Sequence, residues 1–136
     1  MADTFLLEIV TPARRLFSKE VTEARAPGIN GEFGVLAGHT QFTTILKPGA
    51  LTYKSGGQTG YIAVGKGYAE VNSERTLLLV DMAETVEEID LDAARKTLAE
   101  YEEAMTTLSP EDPQYTLTVD NIELNMARIK VKEGSR

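Results

Sequence analysis

The sequence predicts a mainly β plus α fold, a β-sandwich followed by an antiparallel hairpin of two helices. Early in the chain apolar residues alternate with other residues, as in Phe5, Leu7 and Ile9, which is the period of a half-buried strand. Later the apolar residues recur every three or four positions, which is the helical period. Ten of the 11 glycines lie in the first half of the chain, so turn-forming residues become scarce where the period changes. We therefore expect two domains, a sandwich over 1–86 and a helical hairpin over 87–136.

Short strand-like runs make up the first domain. The predicted runs are 5–12, 16–26, 33–36, 43–54, 58–64, 67–72 and 76–83. Turn signals rich in glycine and proline occur among these runs, for example Pro27-Gly28, Pro48-Gly49 and Ser55-Gly56-Gly57. Many short strands at a spacing of roughly ten residues are typical of a sandwich or barrel.

Two apolar stripes predict the two helices. The first stripe consists of Leu91, Ala94, Leu98, Tyr101, Met105 and Leu108, and the second of Tyr115, Val119, Ile122, Met126 and Ile129. Asp90 is the expected N-cap of the first helix, and Asp92 in its first turn suits the helix dipole. The prolines of 109–113 end this helix, because proline cannot continue it. The start of the second stripe, 115–119, also suits a strand. The sequence leaves open whether the hairpin is a fixed part of the core or mobile.

Composition narrows the class of protein. The formal net charge of −7 argues against binding to nucleic acid or to anionic lipid, both of which require a basic surface. The chain has no cysteine, which excludes disulfides, thiolate zinc sites and a thiol nucleophile. We expect no signal peptide, because the N-terminus lacks a basic region followed by an apolar run. The longest apolar runs, such as 77–80, are far shorter than the roughly 18–20 residues that cross a bilayer. These features predict a soluble protein facing the cytoplasm.

Catalytic and metal motifs are not convincing. Residues 60–67 match a phosphate-binding loop up to the last position, where Gly67 replaces the Ser or Thr that would bind magnesium. A single histidine cannot form a multi-histidine metal site. The acidic run 84–92 matches no calcium loop and is expected to be a solvated linker. No catalytic residue, metal site or required cofactor is therefore predicted.

The segment 31–40, Gly-Glu-Phe-Gly-Val-Leu-Ala-Gly-His-Thr, is the most distinctive part of the chain. Together with the alternating start at 5–12 and the glycine-punctuated run 61–71, it resembles the epsilon subunit of the F-type ATP synthase, bacterial type. The resemblance covers nearly the whole chain, since the predicted hairpin also fits. The family commonly has proline at the positions of Ala37 and Gln41, where this chain departs from it.

The resemblance implies a non-catalytic central-stalk (rotor) subunit. Such a subunit couples proton flow through the membrane ring to ATP synthesis and regulates ATP hydrolysis through its hairpin. The implied partners are the gamma (shaft) subunit, the ring of membrane c subunits and the alpha and beta subunits of the catalytic head. The implied location is the cytoplasmic face of the bacterial inner membrane, without direct membrane insertion. The implied rotor-interface residues are Glu32, Phe33, Gly34, His39 and Thr40. For His39 alone, a hydrogen-bonded surface turn without a partner is the alternative interpretation.

Residues 91–96, Leu-Asp-Ala-Ala-Arg-Lys, resemble a family segment that helps some bacterial members to bind ATP. By this resemblance the candidate ATP-binding residues are Asp92, Arg95, Arg128 and Lys132. The family has alanine where this chain has Lys96, and the acidic residues further along the helix would repel a triphosphate. We expect weak or absent ATP binding rather than tight binding. If ATP does not bind, Asp92 and Arg95 belong to a helix N-terminal region with a surface ion pair.

The second helix ends in a basic tip. Cations at a helix C-terminus are favoured by the dipole alone. The resemblance implies more, namely that Arg128, Lys130 and Lys132 contact acidic residues of the catalytic head and block rotation. Two other classes of function are considered. One is a stand-alone ATP-sensing module that uses the hairpin, and the other is a sugar- or acid-processing enzyme on a β scaffold, for which the sequence offers no catalytic cluster.

Overall fold

The structure is a computed structural model that describes residues 3–38 and 41–134. Within these described residues ten strands form one continuous sheet that folds into a sandwich, and two helices follow it, so the predicted fold class is confirmed. The strands are β1 (Phe5–Val10), β2 (Arg15–Val21), β3 (Glu23–Gly28), β4 (Gly31–Leu36), β5 (Phe42–Leu46), β6 (Gly49–Ser55), β7 (Gln58–Val64), β8 (Gly67–Val71), β9 (Arg75–Val80) and β10 (Ala83–Thr85). A single 3₁₀ turn (Val86–Glu88) leads to α1 (Leu91–Met105) and α2 (Pro113–Gly134).

The strand order is β10-β7-β6-β3-β5-β8-β9-β1-β2, and β4 pairs with β3. Most neighbours are antiparallel, but β1 and β9 pair in parallel. Strand β3 connects the two halves of the sheet, because its first residues pair with β6 and its last residue, Gly28, pairs with Leu46 of β5.

Three of the predicted runs each span residues of two strands in the structure and not of one. The run 16–26 divides at Thr22, whose backbone N–H donates to Lys54 O at 2.8 Å. The run 43–54 divides at Pro48, which has no N–H for a ladder, and the run 76–83 divides after Val80. At each break the chain changes its pairing partner. For example, β5 pairs with β8, whereas β6, the next strand along the chain, pairs with β7. The apolar pattern continues through such a break because both strands contribute side chains to the same core.

The core lies between the two halves of the sheet. Phe5, Leu7 and Ile9 of β1 are at most 2% exposed, which confirms the alternation predicted for this strand. Leu51 of β6 and Leu78 of β9 are fully buried. Burying each such side chain contributes about 1.5–3 kcal/mol, so the sandwich contains the main source of stability.

The predicted helical hairpin is confirmed, including its start. The Asp90 side chain accepts a hydrogen bond from the backbone N–H of Ala93 at 3.0 Å, as expected of an N-cap. The first helix ends at Met105, one turn before the end of the predicted stripe. Pro113 begins the second helix, where its fixed φ and missing N–H are tolerated. Residues 115–119 are helical, so the alternative strand assignment is excluded.

The face that docks α2 differs from the predicted stripe. This helix packs on β6 and β7, and α1 packs on α2. The buried residues of α2 are Thr118, Asn125, Ala127 and Val131, none of which belongs to the stripe. Met126 of the stripe is 55% exposed and lines a groove between the helices with Leu98 and Ile129. Of these four, Ala127 and Val131 form the face towards the sheet, where they pack in one cluster with Ala63 and Ile89, beside Ala50 and Tyr61.

Candidate interaction surfaces

The first part of the segment 31–40 forms β4 (Gly31–Leu36), which pairs with β3. Phe33 is half-buried, and its ring meets Phe42 edge-on with 5.5 Å between centroids, so this side chain anchors the strand to the core. Glu32 and Gly34 are exposed, and the Glu32 carboxylate lies 3.4 Å from the Arg25 guanidinium. The structure therefore leaves Glu32 and Gly34 exposed and turns Phe33 inwards. His39 and Thr40, the other two predicted interface residues, lie outside the described residues.

Glycine is required at two points of this segment. Gly31 has φ of 125° in the turn between β3 and β4, and Gly38 has φ of 78° after β4. Both angles belong to backbone conformations that other residues rarely adopt. Between these two turns β4 is held by its pairing with β3. The exposed residues of β4 therefore have fixed positions.

A row of apolar side chains crosses the outer side of the sheet formed by β5, β8, β9 and β1. The strand registers place Ile45 opposite Tyr68, Tyr68 opposite Leu79, and Leu79 opposite Val10. Ile45 is 58% and Tyr68 is 43% exposed, while Leu79 and Val10 are half-buried. We call Val10, Ile45, Tyr68 and Leu79 the apolar row.

The apolar row has the character of a binding surface. Its residues Val10, Tyr68 and Leu79 line a shallow depression of about 360 Å³. Contiguous exposed apolar side chains on a folded domain mark sites of protein contact more often than single ones do. Sequence reasoning missed this row, although a signal existed. The run 77–80 is apolar without interruption, whereas a strand with one solvated side normally alternates.

Two cations of the predicted basic tip hold α2 against the sandwich. Arg128 Nε lies 2.6 Å from Glu84 Oε1 of β10, and the two side chains are only 18% and 20% exposed. The two groups meet as a charge pair, without the alignment of a hydrogen bond. Arg128 also donates from a terminal nitrogen to Asn125 Oδ1 at 2.8 Å, and Lys132 Nζ donates to the carbonyl of Val86 at 2.7 Å. We call the contacts of Arg128 with Glu84 and of Lys132 with Val86 the latch.

Further ion pairs connect the hairpin to its surroundings. Lys66 Nζ lies 3.2 Å from Asp120 and Lys47 Nζ lies 3.8 Å from Glu123, so two more residues of α2 pair with the sandwich. Lys130 is exposed and lines a groove of about 460 Å³ that Glu32 also lines. Of the basic tip, Lys130 is thus the residue exposed to solvent in the docked hairpin.

The four candidate ATP-binding residues lie on both helices. Arg95 of α1 pairs with Glu133 of α2 at 2.6 Å, and the two side chains are about half exposed. Asp92 is exposed in the first turn of α1. Arg128 and Lys132 belong to the latch. A nucleotide that used Arg95, Arg128 and Lys132 together would have to replace all three of these contacts.

In the connection between the sandwich and the hairpin, Glu88 has a shifted pKa. The pKa of Glu88 lies below its ordinary value, mainly because the backbone N–H of Thr85 donates to its carboxylate, and also because Arg14 binds it. These contacts hold the 3₁₀ turn against the turn between β1 and β2. Among the described residues no group of three or more side chains is arranged to hold a metal ion. No helix in the described part of the chain has the length and apolar character needed to span a membrane.

A sandwich with an exposed apolar row and a helical hairpin docked by ion pairs presents surfaces suited to contact with other proteins. Residues 4–86 match the family model for the ATP synthase Delta/Epsilon chain, β-sandwich domain. The chain is 44% identical over 131 residues to an ATP synthase epsilon chain of Geobacter metallireducens, covering 96% of this chain and 95% of the relative. It is 41% identical over 138 residues to an ATP synthase epsilon chain of Geotalea daltonii, covering all of both chains.

The chain therefore belongs to the ATP synthase epsilon chain family. Solved structures agree with the fold. A chain of the Euglena gracilis mitochondrial ATP synthase, in a structure of OSCP, F1 and c-ring, matches with a TM-score of 0.76 and 26% identity, covering 91% of this chain and 78% of that chain. A chain of the Tetrahymena thermophila mitochondrial ATP synthase, at 11% identity and a TM-score of 0.60, covers 98% of this chain and 96% of that chain and shows the same fold.

Proposed function

We propose that this chain is a non-catalytic central-stalk subunit that docks on the gamma (shaft) subunit through the apolar row. The apolar row is the observation that carries the proposal. Four strands align these side chains side by side, and the hairpin occupies other strands, β6 and β7. The core of a stable protein interface is more apolar than the remaining surface, and an aromatic residue such as Tyr68 is a frequent anchor.

The segment 31–40 gives the same subunit a second contact. Glu32 and Gly34 lie exposed on β4, which pairs with β3 in the described structure. We propose that this edge, together with His39 and Thr40, contacts the ring of membrane c subunits. Docking on both the shaft and the ring would transmit rotation, and so couple proton flow to ATP synthesis. The subunit would then lie at the cytoplasmic face of the bacterial inner membrane without entering the bilayer.

The hairpin is proposed to regulate ATP hydrolysis. In the docked hairpin, the latch uses the charges of Arg128 and Lys132 within the chain. A released hairpin would instead offer these cations, with Lys130, to an acidic surface of the alpha and beta subunits. Because one cation cannot serve both partners at once, docking and inhibition exclude each other. This competition supports a two-state switch whose balance partners can shift.

The alternative function is a stand-alone ATP-sensing module. It would require ATP to take Arg95, Arg128 and Lys132 from their present partners. The cost of those exchanges favours the stalk function, and we propose at most weak ATP binding.

The test is the affinity of the full-length chain for the purified gamma subunit, measured by calorimetry. Tyr68→Asp places a charge in the apolar row and should abolish or greatly weaken binding. Gln58→Asp, at an exposed turn between β6 and β7, is the matched control and should bind like the wild type. Circular dichroism must show that both variants are folded. Wild-type affinity in folded Tyr68→Asp and Ile45→Asp would refute docking through this surface.

A further inference from the structure

Glu8 is an unusual carboxylate. Its neighbours in β1, Leu7 and Ile9, point into the core, so Glu8 points to the outer side of the sheet. It is nevertheless only 4% exposed, because two arginines cover it. Glu8 Oε1 lies 2.6 Å from Arg75 Nε, and Glu8 Oε2 lies 3.2 Å from a terminal nitrogen of Arg15. Each carboxylate oxygen thus holds one guanidinium.

This cluster carries more positive than negative charge. One carboxylate faces two arginine side chains that remain 65% and 44% exposed, in a chain whose net charge is −7. A buried charge pair is a weak source of stability, since its desolvation cost offsets most of the attraction. The two guanidiniums together offset the cost of burying the carboxylate, since each satisfies one of its oxygens. A guanidinium has five N–H donors, so each arginine can contact a second acceptor while it holds Glu8.

The cluster borders the apolar row. Val10, the last residue of the row, pairs with Arg15 of β2, so the row continues directly into this arginine. Glu8 itself lies opposite Leu77 of β9, and Arg75 lies opposite Leu6 of β1. Arg15 therefore adjoins the apolar row, whereas Arg75 lies four positions along β9 from Leu79 and reaches Glu8 from the far side. Both arginines would lie at the rim of an interface centred on the row. Charged groups at a rim guide association and set the orientation of a partner.

The other charges on this side restrict where an acidic group could bind. Glu70 lies beside Leu77 on β8, and Glu20 lies opposite Leu6 on β2. Both are exposed and would repel a carboxylate in their vicinity. Between Arg15 and Arg75, by contrast, two guanidiniums face a single carboxylate. Arginine is suited to this task, because its planar fork matches a carboxylate.

We propose that Arg15 and Arg75, positioned by Glu8, bind an aspartate or glutamate side chain of the stalk partner that covers the apolar row. This inference rests on the proposed function, since the occupant belongs to that partner. The acidic side chain would fix the orientation of docking, while the apolar row would supply most of the buried surface.

The test measures binding of the full-length chain to the purified gamma subunit over a series of salt concentrations. Arg15→Gln and Arg75→Gln, made singly so that Glu8 keeps one partner, should each weaken binding about tenfold at low salt and flatten its salt dependence. Lys19→Gln removes a cation from the same strand as Arg15. It should leave the affinity and the salt dependence of the affinity unchanged. Arg75→Lys keeps the positive charge but lacks the planar guanidinium that can contact a carboxylate with two N–H groups. Its affinity for gamma should lie between those of the wild type and Arg75→Gln.

Three outcomes separate the possibilities. If Tyr68→Asp abolishes binding while folded Arg15→Gln and Arg75→Gln bind like the wild type with the same salt dependence, docking stands and this inference is overturned. If the wild type does not bind gamma, both the proposed function and this inference are overturned. If both arginine variants lose affinity and salt dependence while Lys19→Gln does not, the inference is supported.

Discussion

Arg128 of α2 and Glu84 of β10 form a charge pair, 2.6 Å apart, in which each side chain is at least four-fifths buried. The pair joins the helical hairpin to the last strand of the sandwich, 44 positions away in the sequence. The latch therefore fixes the docked hairpin with the same arginine that the basic tip would present to another protein.

Removing one partner of this pair should release the hairpin. Arg128→Gln leaves Glu84 buried without its cation, and breaking such a pair costs about 3–5 kcal/mol in fully buried sites and less here. We expect faster amide hydrogen exchange in α2 and an unchanged rate in β1 and β9. The double variant Glu84→Leu/Arg128→Leu should recover most of the protection, because it leaves no buried charge. Equal protection in the wild type and Arg128→Gln would contradict the latch.

Enlarging a buried side chain tests which face of α2 packs on the sandwich. Ala127 is 5% exposed and belongs to the cluster with Ala63, Ile89 and Val131. Ala127→Leu should overfill this interface and destabilise the docked hairpin by about 1–3 kcal/mol. Met126→Leu, at an exposed neighbouring position, should change stability by less than about 0.5 kcal/mol. Chemical denaturation followed by circular dichroism would measure the free energy of unfolding of both variants. A larger loss of stability in Met126→Leu than in Ala127→Leu would show that the stripe predicted from sequence docks the helix after all.

Sequence patterns predicted what depends on neighbouring residues and missed what depends on pairing over long distances. The alternation of β1, the period of the helices and the Asp90 cap are local, and all three were predicted. The apolar row arises because Val10 and Leu79 lie side by side in parallel strands, which no local pattern reveals. The docking face of α2 depends on the small residues of the sheet it meets, such as Ala50 and Ala63, and not on the helix alone.

Glu88 should make the stability of the connection depend on pH. Its pKa is lowered in the fold from an ordinary value of 4.5, so the stabilisation is present above that value and is lost as the pH falls through the lowered pKa. Glu88→Gln should be less stable than the wild type at pH 7, by less than about 1 kcal/mol because the pair is largely exposed, and this difference should shrink as the pH falls through the lowered pKa of Glu88. Glu102→Gln, on the exposed side of α1, serves as control. Thermal melting at a series of pH values tests this, and a difference that persists at low pH would contradict it.

ATP binding should be weak and should compete with the contacts of the hairpin. Arg95, Arg128 and Lys132 must leave Glu133, Glu84 and the Val86 carbonyl before they contact phosphate. Glu133→Gln removes one competitor without removing a candidate ligand, so it should raise the affinity. Calorimetry on the full-length chain at millimolar ATP would measure this change. Binding that survives the combined replacement Arg95→Ala/Arg128→Ala would place the nucleotide elsewhere.

The regulatory role can be tested most cleanly at Lys130. Arg128 and Lys132 are ambiguous targets, because their removal weakens the latch as well as the basic tip. Lys130 is exposed in the docked hairpin, so Lys130→Glu should leave docking nearly intact while it reverses a charge offered to the acidic surface of the head. We expect assembled enzyme with Lys130→Glu to hydrolyse ATP faster than the wild type, and enzyme whose subunit lacks residues 88–136 to be faster still. Lys96→Glu reverses an exposed lysine of α1 and is the matched control.

The decisive measurement is the hydrolysis rate at matched subunit occupancy, over a range of ATP concentrations and with and without a proton gradient. Charge reversal should act mainly where the hairpin is released, because only the released hairpin brings Lys130 to the head. The effect should therefore be largest in combination with Glu84→Gln, which breaks the latch without removing a cation of the basic tip. Equal rates for the wild type, Lys130→Glu and the truncated subunit under all of these conditions would show that the hairpin of this chain does not inhibit.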